Sequence, residues 1–150
     1  MYWERDTSDF IKRIEELGIE RALSPDSIRS DVPYPVPIDL SQELTELELK
    51  EALISLPGWE IFHRSRPGDP TRQTVELYKA FKFKSFEDAI HFMSTAARFV
   101  SSTDHHPDWQ NLWVSVRVWL TTWDIGHRPT FKDKRLAEYL EKLYREYQVT

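Results

Sequence analysis

Two adjacent histidines, His105 and His106, followed by Pro107, Asp108 and Trp109, stand in a chain of 150 residues that has 5 histidines in all. Imidazole is the side chain whose ordinary titration range falls at neutral pH. A pair held at a pocket mouth can therefore give a proton from one ring and take one with the other. Asp104, directly before them, can fix a tautomer. The bland alternative is a polar turn that happens to contain two histidines, the ordinary explanation of an isolated His-His pair. A metal site is weaker still. Neighbours on an extended chain point to opposite sides, no His-x-His or His-x-x-x-His spacing occurs, and His63, His91 and His127 bear no evident relation to the pair.

The flanking sequence must position these rings. Pro107 biases His106 toward the β region, so one ring is expected to face inward and the other outward. Upstream, Ser85 can cap a helix over 86–102. In it Phe86, Ile90, Met93, Ala97 and Val100 form one stripe, and Ala89, Phe92, Ala96 and Phe99 widen it to about half the circumference. The first stripe is expected to cover a sheet and the second arc to be left over for a second copy, which predicts a homodimer or higher homo-oligomer. The alternative cover is the chain's own N-terminal helix. Downstream, Leu112, Val114, Val116, Val118 and Leu120 alternate as one strand, and Leu136, Leu140, Leu143 and Tyr147 mark a C-terminal helix.

Nearer the N-terminus, Ser41 can cap a helix carrying Leu44, Leu47, Leu49, Ala52, Leu53 and Leu56, which Pro57-Gly58 ends. A strand from Trp59, a turn over 65–73 and a second strand over 75–83 follow. This order predicts an α+β fold, an antiparallel sheet with helices on one face. Residues 1–39 are expected as a separate arm ahead of a domain over 40–150. The arm has an amphipathic helix over 7–23 and a strap stiffened by Pro33, Pro35 and Pro37.

The net charge of -5, without long like-charge blocks, argues against direct binding of nucleic acid or an anionic membrane surface and leaves a protein partner open. With 0 cysteines there is no disulfide and no thiolate nucleophile, which suits a reducing compartment. No segment approaches the roughly 20 apolar residues needed to cross a bilayer, and the first residues are charged where a secretory signal is apolar. A soluble cytoplasmic protein is the expectation.

Read together, HHPDW, Asn111, Trp113, the alternating VSVRVWL, Thr122 and Asp124 resemble the signature of the pterin-4a-carbinolamine dehydratases, also known as dimerisation cofactors of a homeodomain transcription factor. LPGW at 56–59 and FKFKSFEDAIHFM at 81–93 resemble that family's hairpin and the start of its long helix, so the resemblance covers about residues 40–148. It implies an αββαββα fold with a four-stranded sheet, assembly as dimers or dimer pairs, and dehydration of 4a-hydroxytetrahydropterin to quinonoid dihydropterin without metal or cofactor. His105 and His106 match the family's histidine pair, and Asp133 falls near its late acidic residue; these three are the expected catalytic set. Asp104, Trp109, Trp123 and His127 are expected to bind the pterin substrate, with Trp109 as a pocket wall. Two positions depart from the pattern. Ser101 stands where the family usually has an acidic residue, and Trp123 where it usually has a third histidine, for which His127 in the following loop could substitute. These departures motivate the alternative of a catalytically weak member that serves as a protein-binding or assembly module.

Overall fold

Alternation along two strands and a 3.6-residue period along two helices place one apolar layer against another. In the computed structural model, which describes residues 39–148, Leu77 and Phe81 from one strand and Val116, Val118 and Leu120 from its neighbour are 0% exposed. Ala89, Phe92, Ala96 and Phe99 from one helix, and Leu136 and Leu140 from another, join them in the same core. The helix and strap expected over 7–37, and the arm they would form, lie outside the described residues.

The elements run α1 (Glu46–Ser55), β1 (Glu60–Phe62), β2 (Ser65–Arg66), β3 (Asp69–Gln73), β4 (Glu76–Lys82), α2 (Phe86–Thr103), β5 (Asp108–Leu112), β6 (Ser115–Leu120) and α3 (Phe131–Gln148). A 3-10 turn spans Trp123–Ile125. The main sheet has the order β1-β4-β6-β5 with every pair antiparallel, and β2 and β3 form a separate two-stranded ribbon. The expected α+β class and four-stranded antiparallel sheet with three helices are therefore present.

Four local expectations are corrected. The cap of α1 is Thr45, whose hydroxyl accepts from Glu48 N while the Glu48 carboxylate accepts from Thr45 N. Ser41 instead turns back on Asp39, and Leu44 is buried from extended chain whose N–H donates to Pro129 O at 2.9 Å. Residues 65–73 are a hairpin rather than a plain turn. Gly68, at φ 77°, takes the left-handed corner, and Pro70 is tolerated because a ribbon of two strands has an unpaired outer edge.

The stretch from Leu112 is not one strand. Trp113, at φ 53°, reverses the chain between β5 and β6, and Asn111 Nδ2 donates to Trp113 O and Ser115 O, both at 3.0 Å. Leu112 therefore pairs with Ser115 on the face opposite Val116, and it is 74% exposed. On α2 the arc expected to be left over is core, while the first stripe is buried only toward its end, at Val100. Ala89, Phe92, Ala96 and Phe99 are at most 1% exposed, because the alanines let the helix approach the sheet and the phenylalanines fill the space beside them; Phe86 and Ile90 are the exposed ones. Each buried phenylalanine contributes about 1.5–3 kcal/mol by removal from water, so this arc, and not its neighbour, sets the helix rotation.

Candidate active site

The histidines lie where α2 hands over to β5. Thr103 Oγ1 donates back to Phe99 O at 2.9 Å, and Asp104 closes the helix in the left-handed region at φ 50° and ψ 38°, a conformation that Asp tolerates better than most residues. Extended chain then leads through Pro107 into β5, and the alternation of a strand sorts the side chains. His105 faces inward with a side chain 11% exposed, and His106 faces outward at 57%.

Asp133 meets His105 from the first turn of α3. His105 Nε2 lies 2.6 Å from Asp133 Oδ1, and the aspartate side chain is 0% exposed. The other carboxylate oxygen accepts from Thr130 N at 2.9 Å and from Thr122 Oγ1 at 2.7 Å. Thr130 Oγ1 accepts from Lys132 N at 3.2 Å and lies 2.8 Å from Thr122 Oγ1. The shorter contacts favour the order Thr130 to Thr122 to Asp133, and Thr130 Oγ1 also lies 3.4 Å from Asp133 Oδ2. A carboxylate has only acceptors, so a His105 ring donating to it carries its proton on Nε2 and has Nδ1 as its other nitrogen. The N-terminal end of α3, which favours negative charge, adds to the same arrangement.

His106 is held loosely. Its Nε2 is 3.3 Å from Asp104 Oδ1, and that carboxylate is 95% exposed. Trp109 lies half-buried on the helix-covered face of β5, paired in register with Val118 and packed against the core. Trp123 is 64% exposed in the loop after β6, with its ring 5.5 Å from that of His127 and tilted by 33°. His127 takes a left-handed backbone at φ 60°, and its ring nitrogens are shielded without a partner among the described residues. Burial, and then the Arg66 charge, hold its pKa below the ordinary histidine value. Thr122 is shared by both parts: its backbone bridges to Arg128 and closes the loop, and its hydroxyl serves Asp133.

The structure thus brings His105 and Asp133 into direct contact and pairs His106 with Asp104 on the solvent side of the same segment, while Trp123 and His127 form a second pair on the loop after β6. Thr122 and Thr130 were not singled out by sequence for this network. The signal was the Thr130-x-x-Asp133 spacing, that of a capping box with an acidic third residue. Among the described residues no three or more His, Cys, Asp or Glu side chains gather as a metal site, and no helix is long and apolar enough to cross a membrane.

The α+β layer thus carries one carboxylate-backed imidazole and, next to it in the chain, a solvent-facing one. The family model described as pterin 4 alpha carbinolamine dehydratase matches residues 42–143, and the chain belongs to that family. A Bordetella avium protein named for the same activity is 37% identical over 103 residues, covering 69% of this chain and 86% of its own. One from Prochlorococcus marinus strain MIT 9312 is 32% identical over 101 residues, covering 67% and 93%. The crystal structure of a transcriptional coactivator/pterin dehydratase from Brucella melitensis is similar at a TM-score of 0.56 and 33% identity, covering 69% of this chain and 99% of that one.

Proposed function

We propose that the protein dehydrates a 4a-hydroxytetrahydropterin to the quinonoid dihydropterin, with His105 and His106 as its acid–base pair and Asp133 as the group that orients His105. The carrying observation is the contact of 2.6 Å between His105 Nε2 and the buried Asp133 carboxylate. The reaction breaks the bond from the ring carbon to its hydroxyl, removes a proton from a ring nitrogen and releases water. His105 suits the base, since Asp133 stabilises the imidazolium that forms when Nδ1 takes the proton. His106 suits the acid that protonates the departing hydroxyl, because an imidazole open to solvent recovers its proton from water between turnovers. Trp109, Trp123 and His127 offer flat surfaces for the pterin ring, and Asp104 a carboxylate beside His106.

The test is the decay of a chemically generated 4a-hydroxytetrahydropterin, followed by absorbance with and without the protein. The intact protein should accelerate the decay, and His105→Ala or His106→Ala should each slow turnover by at least about 10²-fold, the usual worth of a positioned acid or base. Unchanged turnover in both variants ends the catalytic assignment.

A second reading is supported by Trp123, whose indole moves no proton at neutral pH, and by Phe86 and Ile90, which are 47% and 38% exposed on α2. In it the protein is a catalytically weak member that associates with another copy or with a protein partner through that helix. The arc that the sequence left over for such a contact is core, so the argument for a homo-oligomer now rests on Phe86 and Ile90. Sedimentation of the full chain checks it: association is expected, and a monomer at all concentrations contradicts it.

A further inference from the structure

A set of charged groups outside the histidine site gathers on the sheet face that, among the described residues, lies opposite the core helices. Arg64, between β1 and β2, donates from Nε to Glu76 Oε2 at 2.6 Å and from Nη2 to Glu76 Oε1 at 2.8 Å, and its Nη2 also lies 2.9 Å from Asp108 Oδ2. Glu76 is 1% exposed, and Thr74 Oγ1 donates to its Oε2 at 2.8 Å. The guanidinium carbon stands 4.7 Å from the centre of the Trp119 ring. Trp119 pairs in register with Tyr78 of β4 on one side and Asp108 of β5 on the other. Arg64 therefore crosses β6 and ties the start of β4 to the start of β5.

We propose that Arg64 is a positioning residue for the histidine pair, acting through Asp108; the proposal rests on the dehydration reading above. Asp108 is separated from His106 by Pro107 alone, and the proline ring removes most of the slack through which a displaced Asp108 would otherwise be absorbed. Asp133 holds His105 from α3, and Arg64 holds the residues just after His106 from the opposite face of the sheet. The His105 ring and the backbone that carries His106 are thus held by two anchors that share no residue. An isolated ion pair to a carboxylate as exposed as Asp108 would contribute little. This one differs because the two-point contact with Glu76 and the Trp119 ring already immobilise the guanidinium, so closing on Asp108 orders no free side chain.

Three variants decide it: Asp108→Asn, Arg64→Gln and Arg64→Lys. Asp108→Asn leaves the buried Glu76 paired with Arg64, so it keeps the proposal testable even if Arg64→Gln fails to fold. Asp108→Asn should lower kcat at least about 10-fold with KM within about twofold, since small misplacements of a catalytic group weigh on the transition state. Amide hydrogen exchange at His106 and Asp108 should quicken while that of α2 and α3 stays as in the parent. Arg64→Lys should recover part of the loss by keeping a cation within reach of both carboxylates. Asp108→Asn and Arg64→Gln remove opposite charges, so a field effect would shift the pH profile of kcat in opposite senses, whereas positioning lowers kcat in both. Parental kcat in Asp108→Asn, parental exchange at His106 and Asp108, or losses accompanied only by opposite pH shifts would overturn the proposal. If the parent protein does not dehydrate the pterin, the catalytic reading fails, and the exchange measurement decides by itself whether the anchor exists.

Discussion

His105 and His106 are chain neighbours of one residue type, yet they occupy contrasting environments. The inward ring is tied to a buried carboxylate whose remaining oxygen is filled by Thr122 and Thr130, so its tautomer and orientation are set by α3 and the loop after β6. The outward ring has one long contact to an exposed aspartate. The alternation of an extended backbone turns one ring toward the buried carboxylate and the other to solvent, and the proposed dehydration would use them separately, the held ring as base and the solvent-facing ring as acid.

Asp133→Ala should break that contrast most severely. It strands the His105 and Thr122 donors and the Thr130 N–H in a region closed to solvent, a loss of about 2–4 kcal/mol when buried donors lose a charged acceptor. A lower midpoint in denaturant with an unchanged slope would report it, and turnover should fall with it. Asp104→Asn, the matching change on the outward ring, should leave the melting temperature unchanged and reduce turnover less than Asp133→Asn. An equal loss from both would erase the distinction between the rings.

Trp123→His is the next smaller effect and sharpens the contrast from the side of the loop. Where the family usually carries a third imidazole, the indole should be replaceable with turnover raised or unchanged; a clear loss would show that the Trp123 ring itself serves the substrate.

The smallest effect is one of pH. Burial holds the His127 pKa below its ordinary 6.5 in the folded chain. The unfolded chain therefore takes up the proton first, and stability is lost as pH falls through about 6.5 and below. His127→Gln should show a smaller drop in melting temperature between neutral and mildly acid pH than the parent does. Identical drops would mean that His127 plays no part in acid sensitivity.

The long periodic elements were legible in the sequence, because β4, β6, α2 and α3 each bury one face against the others. Turns were less so: Trp113 occupies a left-handed corner where Gly or Asn is the usual sign, and the alternation on either side of it reads as continuous. Which arc of α2 is core could not be read from its period, since both arcs are apolar and only packing against the sheet chooses between them. At the site, His105, His106 and Asp133 came from type and resemblance, and the capping-box spacing of Thr130 and Asp133 stood unused in the sequence. Arg64, Glu76 and Asp108 carried no local signal. They lie 12 and 32 residues apart in sequence, and only the order of strands in the sheet brings them together.

The central claim, that Asp133 serves the dehydration by holding His105, is tested most directly by turnover in His105→Ala, Asp133→Asn and the double variant under one assay. Each single change should cost at least about 10²-fold, and the double variant should fall within about threefold of His105→Ala, because residues that act as a unit are not additive. Losses that multiply, or an Asp133→Asn protein that turns over at the parental rate, would contradict it.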